Sequence, residues 1–344
     1  MDHETKTNIL GLLEDEIWRY LEPLGEPPYR ALQIFSFVHR HGAKSFDEMT
    51  NLPKWLRAWL DERFCISRLE PKQVLSSKDG SSKLIFEVDG EQFTSVLMPE
   101  DDRVTLCVSS QVGCRMGCKF CRTGQMRFKR NLRRDEILSQ VIAGSKLLEE
   151  GRRITNVVFM GMGEPMDNLE NVIPAIKVIS HREGFRVAPR KVTVSTVGLL
   201  PELNRFVEAQ TKSSIAISLC SPKDSVRSKF VPVAKKYPLQ ALVSTLKGLR
   251  LPYGHRFTIE YLMIEGVGDS IEDAKELSRL LAHFPAKVNL IPFNPWEGCA
   301  FRRPEQGKIQ RFYEYLKSKN HIVTIRESRG QDIGAACGQL GEEK

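Results

Sequence analysis

Cys114, Cys118 and Cys121 stand in C-x3-C-x2-C spacing within a glycine-containing stretch. Soft thiolates so close in sequence can point inward round one compact centre, and the centres they favour are zinc and iron–sulfur. Three thiols are one short of a closed tetrahedral zinc site, and one short of the four thiolates that usually hold an iron–sulfur cluster. An open coordination position suits catalysis better than scaffolding. The other reading is a structural zinc site whose fourth ligand is Cys107 or a distant histidine. Beyond Cys107 and this trio, the eight cysteines include Cys65, Cys220, Cys299 and Cys337.

The elements that must position these thiols follow from hydrophobic period. From about residue 104 the pattern alternates between short apolar runs and amphipathic stretches. Strands are predicted at 104–109, 154–160, 191–195, 213–219, 256–264 and 287–293, with one more at 322–326. Helices are predicted at 133–150, 168–181, 201–209, through to about 250, at 270–283 and at 305–319. Apolar strands alternating with such helices imply a parallel sheet. Six βα units are too few for a complete eight-unit barrel of ~250 residues, so an open, partial (β/α)6 barrel fits better. A doubly wound open sheet is the competing topology. Ahead of this core, residues 14–21, 29–42 and 54–63 have helical spacing, and 73–77, 82–88 and 91–98 read as strands joined by Asp-Gly turns. The expected layout is a small α/β-hairpin accessory domain at 1–90, a core at 91–327, and a glycine-rich tail at 328–344 read as a loop.

The chain has 344 residues, 41% hydrophobic and 27% charged, which suffices for a core without staples and excludes a disordered or disulfide-stapled protein. No apolar run approaches the ~20 residues of a spanning helix, so no membrane role is expected. A net charge of +8 tilts the partner towards a polyanion, nucleic acid first. The N-terminus lacks a basic-then-apolar leader, which places the protein in the cytoplasm with its thiols reduced.

With Phe120 just before its last cysteine, the trio resembles the radical S-adenosylmethionine (SAM) superfamily, whose fold is a partial barrel. There three cysteines hold a [4Fe–4S] cluster and SAM chelates the fourth iron. Three further segments look like the Cfr/RlmN family of RNA methyltransferases. They are Cys-Val-Ser-Ser-Gln-Val-Gly-Cys from Cys107 to Cys114, Phe-Met-Gly-Met-Gly-Glu-Pro from Phe159 to Pro165, and the tail motif from Arg329 through Cys337. The resemblance implies methylation of an sp2 ring carbon of adenosine, carbon 2 first and carbon 8 second, in 23S rRNA and some tRNAs. It implies SAM contacts at Gly163, Glu164, Ser195, Ser218, Leu219, Cys220 and Asn294, all near predicted strand ends. It also implies an external electron donor such as flavodoxin; we expect a monomer.

The same resemblance gives two more cysteines a role. Cys337 would take a methyl group from a first SAM as a thiolate nucleophile. A radical derived from a second SAM would activate that methyl for addition to adenine. Cys107 would then release the product by forming a transient disulfide with Cys337, which an external reductant restores. Two positions depart from the family. Its proton-accepting glutamate falls, by spacing from Cys107, on Thr94, which cannot act as a base near neutral pH. Glu91 is the nearest stand-in, although strand alternation puts 91 and 94 on opposite faces, and Glu100 stands behind it. Cys220 replaces a histidine usual after Ser-Leu. Seven basic residues between Lys119 and Arg134, with Phe120 and Phe128 interleaved and no acidic residue among them, read as an RNA-binding run; the accessory domain is a second candidate RNA surface. Two alternatives remain at this point: a radical SAM enzyme of different outcome, such as a glycyl-radical activase, and a non-catalytic zinc-dependent RNA-binding protein.

Overall fold

The computed structural model describes residues 6–342. The leader-free start read at the N-terminus and the last two tail residues therefore lie partly or wholly outside the described residues. One ten-stranded sheet organises the chain. In chain order its strands are β1 (Gln73–Ser76), β2 (Ser82–Val88), β3 (Glu91–Pro99), β4 (Val104–Cys107), β5 (Asn156–Phe159), β6 (Val192–Thr196), β7 (Ser214–Leu219), β8 (Phe257–Met263), β9 (Ala286–Pro292) and β10 (Ile322–Ile325).

From β4 to β10 each strand pairs in parallel with the next in sequence. A doubly wound sheet must reverse its strand order at a switch point; these seven never do. Every crossover therefore winds the same way, and the sheet curls into a partial barrel with β1 and β10 as its edges. The period-2 pattern sorts the faces. Val192 and Val194 of β6 are buried beneath the helices, while Thr193 and Ser195 face the lumen and are only half-buried. The polar lumen is thus built by alternation, one residue in two.

The hairpins differ from the expected layout. β1 and β2, expected with the N-terminal helices, pair antiparallel onto β3, and β3 pairs onto β4. The chain reverses between β2 and β3 on Asp89 (φ 53°) and Gly90 (φ 76°), as an Asp-Gly turn requires. The helices Glu14–Leu21, Tyr29–His39 and Lys54–Arg63 form where their spacing predicts. They dock on the helices of the core. Arg134 pairs with Glu16, Arg40 with Glu183 at 2.6 Å, and Phe35 meets His181 edge-on at 4.8 Å. Their apolar faces join the same continuous core as the barrel. Among the described residues no helix is long and apolar enough to cross a membrane.

Candidate active site

The loop after β4 is closed at its base by a two-residue ladder, Gln111–Val112 against Arg130–Asn131. Within it Cys121 N donates to Cys118 O at 3.1 Å, and Lys119 N donates to Phe230 O at 2.9 Å, which turns the loop over the barrel mouth. Cys114, Cys118 and Cys121 consequently line one cavity of about 150 Å³, together with Glu164, Ser195 and Cys337. Burial pushes the Cys114 thiol up to about 12 and holds Cys118 and Cys121 above the usual thiol range; in Cys118 the neighbouring thiols add to the shift. Three soft donors, Cys118 buried and Cys114 and Cys121 half-buried, that repel one another as thiolates fit a cationic centre placed among them. Among the described residues no three His, Cys, Asp or Glu side chains converge closely enough to share a single ion. The trio lines one shared cavity, a donor set that fits an iron–sulfur centre.

The segment after β5 supplies the opposite wall. Gly163 sits at φ +101°, and a Cβ there would lie 2.6 Å from Gln111 Cβ. The sequence suggested close approach to a ligand; the immediate reason for glycine is Gln111, whose Oε1 accepts from Glu164 N at 2.9 Å. Gly163→Ala combines positive φ with a clash, so we expect a loss of about 3 kcal/mol in chemical denaturation.

Glu164 is buried, its Oε1 accepting from Met166 N at 3.1 Å and its Oε2 from Val197 N at 3.0 Å. Burial outweighs those bonds and pushes its carboxyl up to about 7. The native state then binds the extra proton between pH ~4.5 and ~7, so stability falls as pH rises through that window. Glu164→Gln should flatten this decline, as measured by thermal denaturation at pH 5 and pH 8; an unchanged slope would remove Glu164 as its source.

Other expected contacts divide. Ser195 and Ser218 share a 3.1 Å hydroxyl–hydroxyl bond, and with Leu219 both line the cavity. Cys220 does not line it. It is buried behind Cys118 with Val231 and Ala234, where burial raises its thiol to about 11. Asn294 also lies off the cavity wall; its Nδ2 donates to Ser328 Oγ at 2.9 Å and to Cys337 O at 3.0 Å, so it fixes the tail.

That tail is pinned rather than free. Asp332 accepts from Ser77 Oγ at 2.5 Å, Gly330 N donates to Asp79 Oδ2 at 2.7 Å, and Lys83, wholly buried, reaches Gly334 O at 3.2 Å. Farther on, Thr123 Oγ1 donates to Leu340 O at 2.6 Å and Arg122 N to Gly338 O at 2.9 Å. Cys337 is thereby held against the cysteine loop, accessible to water yet enclosed. Below it lies a second, larger cavity of about 620 Å³ in the lower lumen. Met160, Glu260, Cys337 and Leu340 border both cavities, whereas Cys107 borders only the lower. Burial pushes the Cys107 thiol up to about 12, with Cys337 adding to the shift and Arg326 opposing it.

Glu91 is not brought to this site. Its carboxylate pairs with Lys129 at 2.9 Å, and it lines neither cavity. Glu100 lines the lower cavity but pairs with Arg103 at 2.7 Å. Thr94 is buried on β3 with its hydroxyl unpartnered. Sequence reasoning missed Glu260, whose Oε1 accepts from Asn289 at 2.9 Å while Oε2 is buried without a hydrogen bond, 3.9 Å from Arg326. The available signal was alternation: a glutamate in the middle of an apolar strand must face the lumen or be paired. The basic run is also partly structural. Arg130 binds buried Glu136 at 2.7 and 2.9 Å, Arg133 pairs with Asp135, Arg134 with Glu16 and Lys129 with Glu91. Phe128 lies under Arg115, 3.7 Å from ring centroid to guanidinium carbon, and Phe120 faces the upper cavity. Lys119 and Arg127 remain exposed beside the mouth.

Residues 7–66 match the ribosomal RNA large subunit methyltransferase N-terminal domain, and residues 108–280 match the radical SAM superfamily. A dual-specificity RNA methyltransferase RlmN from Geobacter sulfurreducens is 47% identical over 338 residues, covering 98% of this chain and 92% of the relative. The RlmN of Pelobacter propionicus is 45% identical over 336 residues, covering 97% and 96%. A radical SAM methyltransferase from Sphaerobacter thermophilus has the same fold, with a TM-score of 0.89 at 42% identity over 97% of this chain and 99% of its own.

Proposed function

The chain belongs to the RlmN family of radical SAM RNA methyltransferases, and from that premise we propose that it methylates carbon 2 of an adenosine in 23S rRNA and in tRNA, using Cys337 as the methyl carrier. The observation that carries this reading is the placement of Cys337 on the wall shared by the cavity of the three loop thiols and the cavity of Cys107. A carrier must meet a methyl donor on one side and a releasing thiol on the other.

Cys114, Cys118 and Cys121 would hold a [4Fe–4S] cluster, with Gly163, Glu164, Ser195, Ser218 and Leu219 against SAM. Bound there, the pair supplies one-electron cleavage of SAM and hence a hydrogen-abstracting radical. The rest falls to this chain's own groups. Cys337 carries the methyl group as a thioether; Arg326, whose charge opposes the rise of both thiol pKa values, favours their thiolates. Glu164 would accept a hydrogen bond from the SAM amino group. Cys107, as a thiolate, would attack Cys337 Sγ; the Sγ–carbon bond breaks with its electron pair passing to the carbon, which takes up a proton and becomes the methyl group of the product. Glu260 replaces Glu91 as the proton acceptor, because its Oε2 is a buried cavity-wall carboxylate oxygen without a hydrogen bond. Lys119 and Arg127, with the helices at residues 7–66, form the RNA-facing surface. That surface is best tested by substitution, since deletion to residue 90 would strip β1 and β2 from the sheet. A cytoplasmic monomer fed by flavodoxin completes the proposal.

The test is nucleoside mass spectrometry of rRNA and tRNA treated anaerobically with cluster-loaded protein, SAM and a reductant. 2-Methyladenosine is the expected product. 8-Methyladenosine would reassign the carbon, and SAM cleavage with no methyladenosine would overturn the RNA reading.

A further inference from the structure

We propose that Asn289 and Thr324 are positioning residues that keep one oxygen of Glu260 engaged and reserve the other for the proton leaving the adenosine ring, an inference that rests on the reading of Glu260 as proton acceptor. Sheet register brings the three together. Glu260 of β8 stands directly beside Asn289 of β9, and Asn289 beside Thr324 of β10. Residues paired in this way on neighbouring parallel strands point to the same face. All three line the lower cavity.

Hydrogen-bond direction orders the rung. An ionised carboxylate can only accept, so the amide nitrogen of Asn289 must face Glu260. Asn289 Nδ2 donates to Glu260 Oε1 at 2.9 Å, and Asn289 Oδ1 accepts from Thr324 Oγ1 at 2.6 Å. Thr324 thereby stops the amide from turning over. On the other side of Glu260 the rung continues to Ser218, whose hydroxyl is shared with Ser195. Glu260 Oε2 is left buried without a hydrogen bond. A rung built for stability alone would satisfy both oxygens, since an unmet buried acceptor is costly. The charged and titratable groups acting on Glu260 are Arg326, 3.9 Å from Oε2, Lys287 of β9, and the Cys337 thiol of the tail. The ring carbon that gains the methyl group must lose its hydrogen. That C–H bond breaks, its electron pair stays with the ring, and the proton passes to Oε2 while Asn289 keeps Oε1 engaged.

The experiment follows single-turnover methylation by the cluster-loaded full chain, on tRNA carrying either ordinary adenosine or adenosine deuterated at carbon 2. Asn289→Leu keeps the shape and removes the donor. It should slow methylation roughly tenfold and expose a kinetic isotope effect that the parent does not show, while SAM cleavage and melting temperature stay near the parent's. Burial raises the Glu260 carboxyl, whereas Arg326 and the Asn289 bond lower it. Without that bond the carboxyl stays protonated to higher pH, so the acid limb of the variant's pH–rate profile should move to higher pH. Thr324 lies exposed on the edge strand, so Thr324→Val should fold. It should show the same isotope effect with a smaller loss, and Thr324→Ser, which keeps the hydroxyl, should restore the rate. A parent-like rate in Asn289→Leu, or a loss with neither an isotope effect nor a moved acid limb, would overturn the proposal. Glu260→Gln methylating at the parent's rate would instead overturn the assignment of Glu260 on which it rests.

Discussion

Cys337→Ala should abolish RNA methylation, a loss of roughly 10³-fold or more in turnover, while leaving the fold intact. The two halves of that expectation have different causes. The activity half follows from position: Cys337 is the one thiol bordering both cavities, so no other thiol can carry a group between them. The stability half follows from what holds the tail. The anchors are backbone groups and other side chains: Asn294 to Cys337 O, Lys83 to Gly334 O, Asp332 to Ser77, Thr123 to Leu340 O. An alanine keeps all of them, and a substitution at an exposed side chain costs within about 0.5 kcal/mol. Methyladenosine would be read by mass spectrometry and stability by thermal denaturation on the same preparation. Methylation surviving in the variant would end the carrier assignment; a collapsed melting temperature would mean that Cys337 packs as well as reacts.

The division between what the sequence disclosed and what it hid follows from how the barrel is built. The cysteine trio, Cys107 and Cys337 were legible because each sits in a contiguous motif, and the helix–strand alternation was legible because its period is local. The order of β4 to β10 was not, since it is a relation between strands, and that order excludes the doubly wound sheet. Glu260, Asn289 and Arg326 come from three different strands or their ends and meet only across the lumen. Each looks ordinary in its own segment. The basic run erred in the opposite direction. Local reading counted charges without their partners, yet Glu136, Asp135, Glu16 and Glu91 take up most of it, and two of those lie far away in sequence. The tail read as a loop because glycines weaken local structure. Its order comes from β1, β2 and the turn between them, a contact some 250 residues distant. Glu91 shows the same limit in miniature: alternation alone placed it on the face opposite Thr94, and the structure finds it there, paired to Lys129.

Cys107→Ala should arrest the enzyme after a single event and leave RNA covalently attached to the protein through Cys337. The argument begins with the bond that has to break. A methylene joining Cys337 Sγ to a ring carbon is a thioether, stable in water, and needs a nucleophile at sulfur to be severed. Cys107 is the thiol that shares the lower cavity with Cys337, and the interaction between them contributes to the raised Cys107 pKa. The loop thiols face the upper cavity and, in the proposed reading, would be committed to the cluster. Removal of the Cys107 sulfur from the end of β4 costs about 1 kcal/mol of packing, because the β4 pairings of Val96 with Cys107 and of Cys107 with Val158 are made by the backbone. The variant should therefore fold, begin the reaction and stall. A denaturing gel should show a nuclease-sensitive protein–RNA species approaching one per active site, and peptide mapping should find the nucleotide remnant on Cys337. Product formed at the parent's rate would mean that another group releases the RNA. Neither product nor adduct would place Cys107 before the bond to RNA is made.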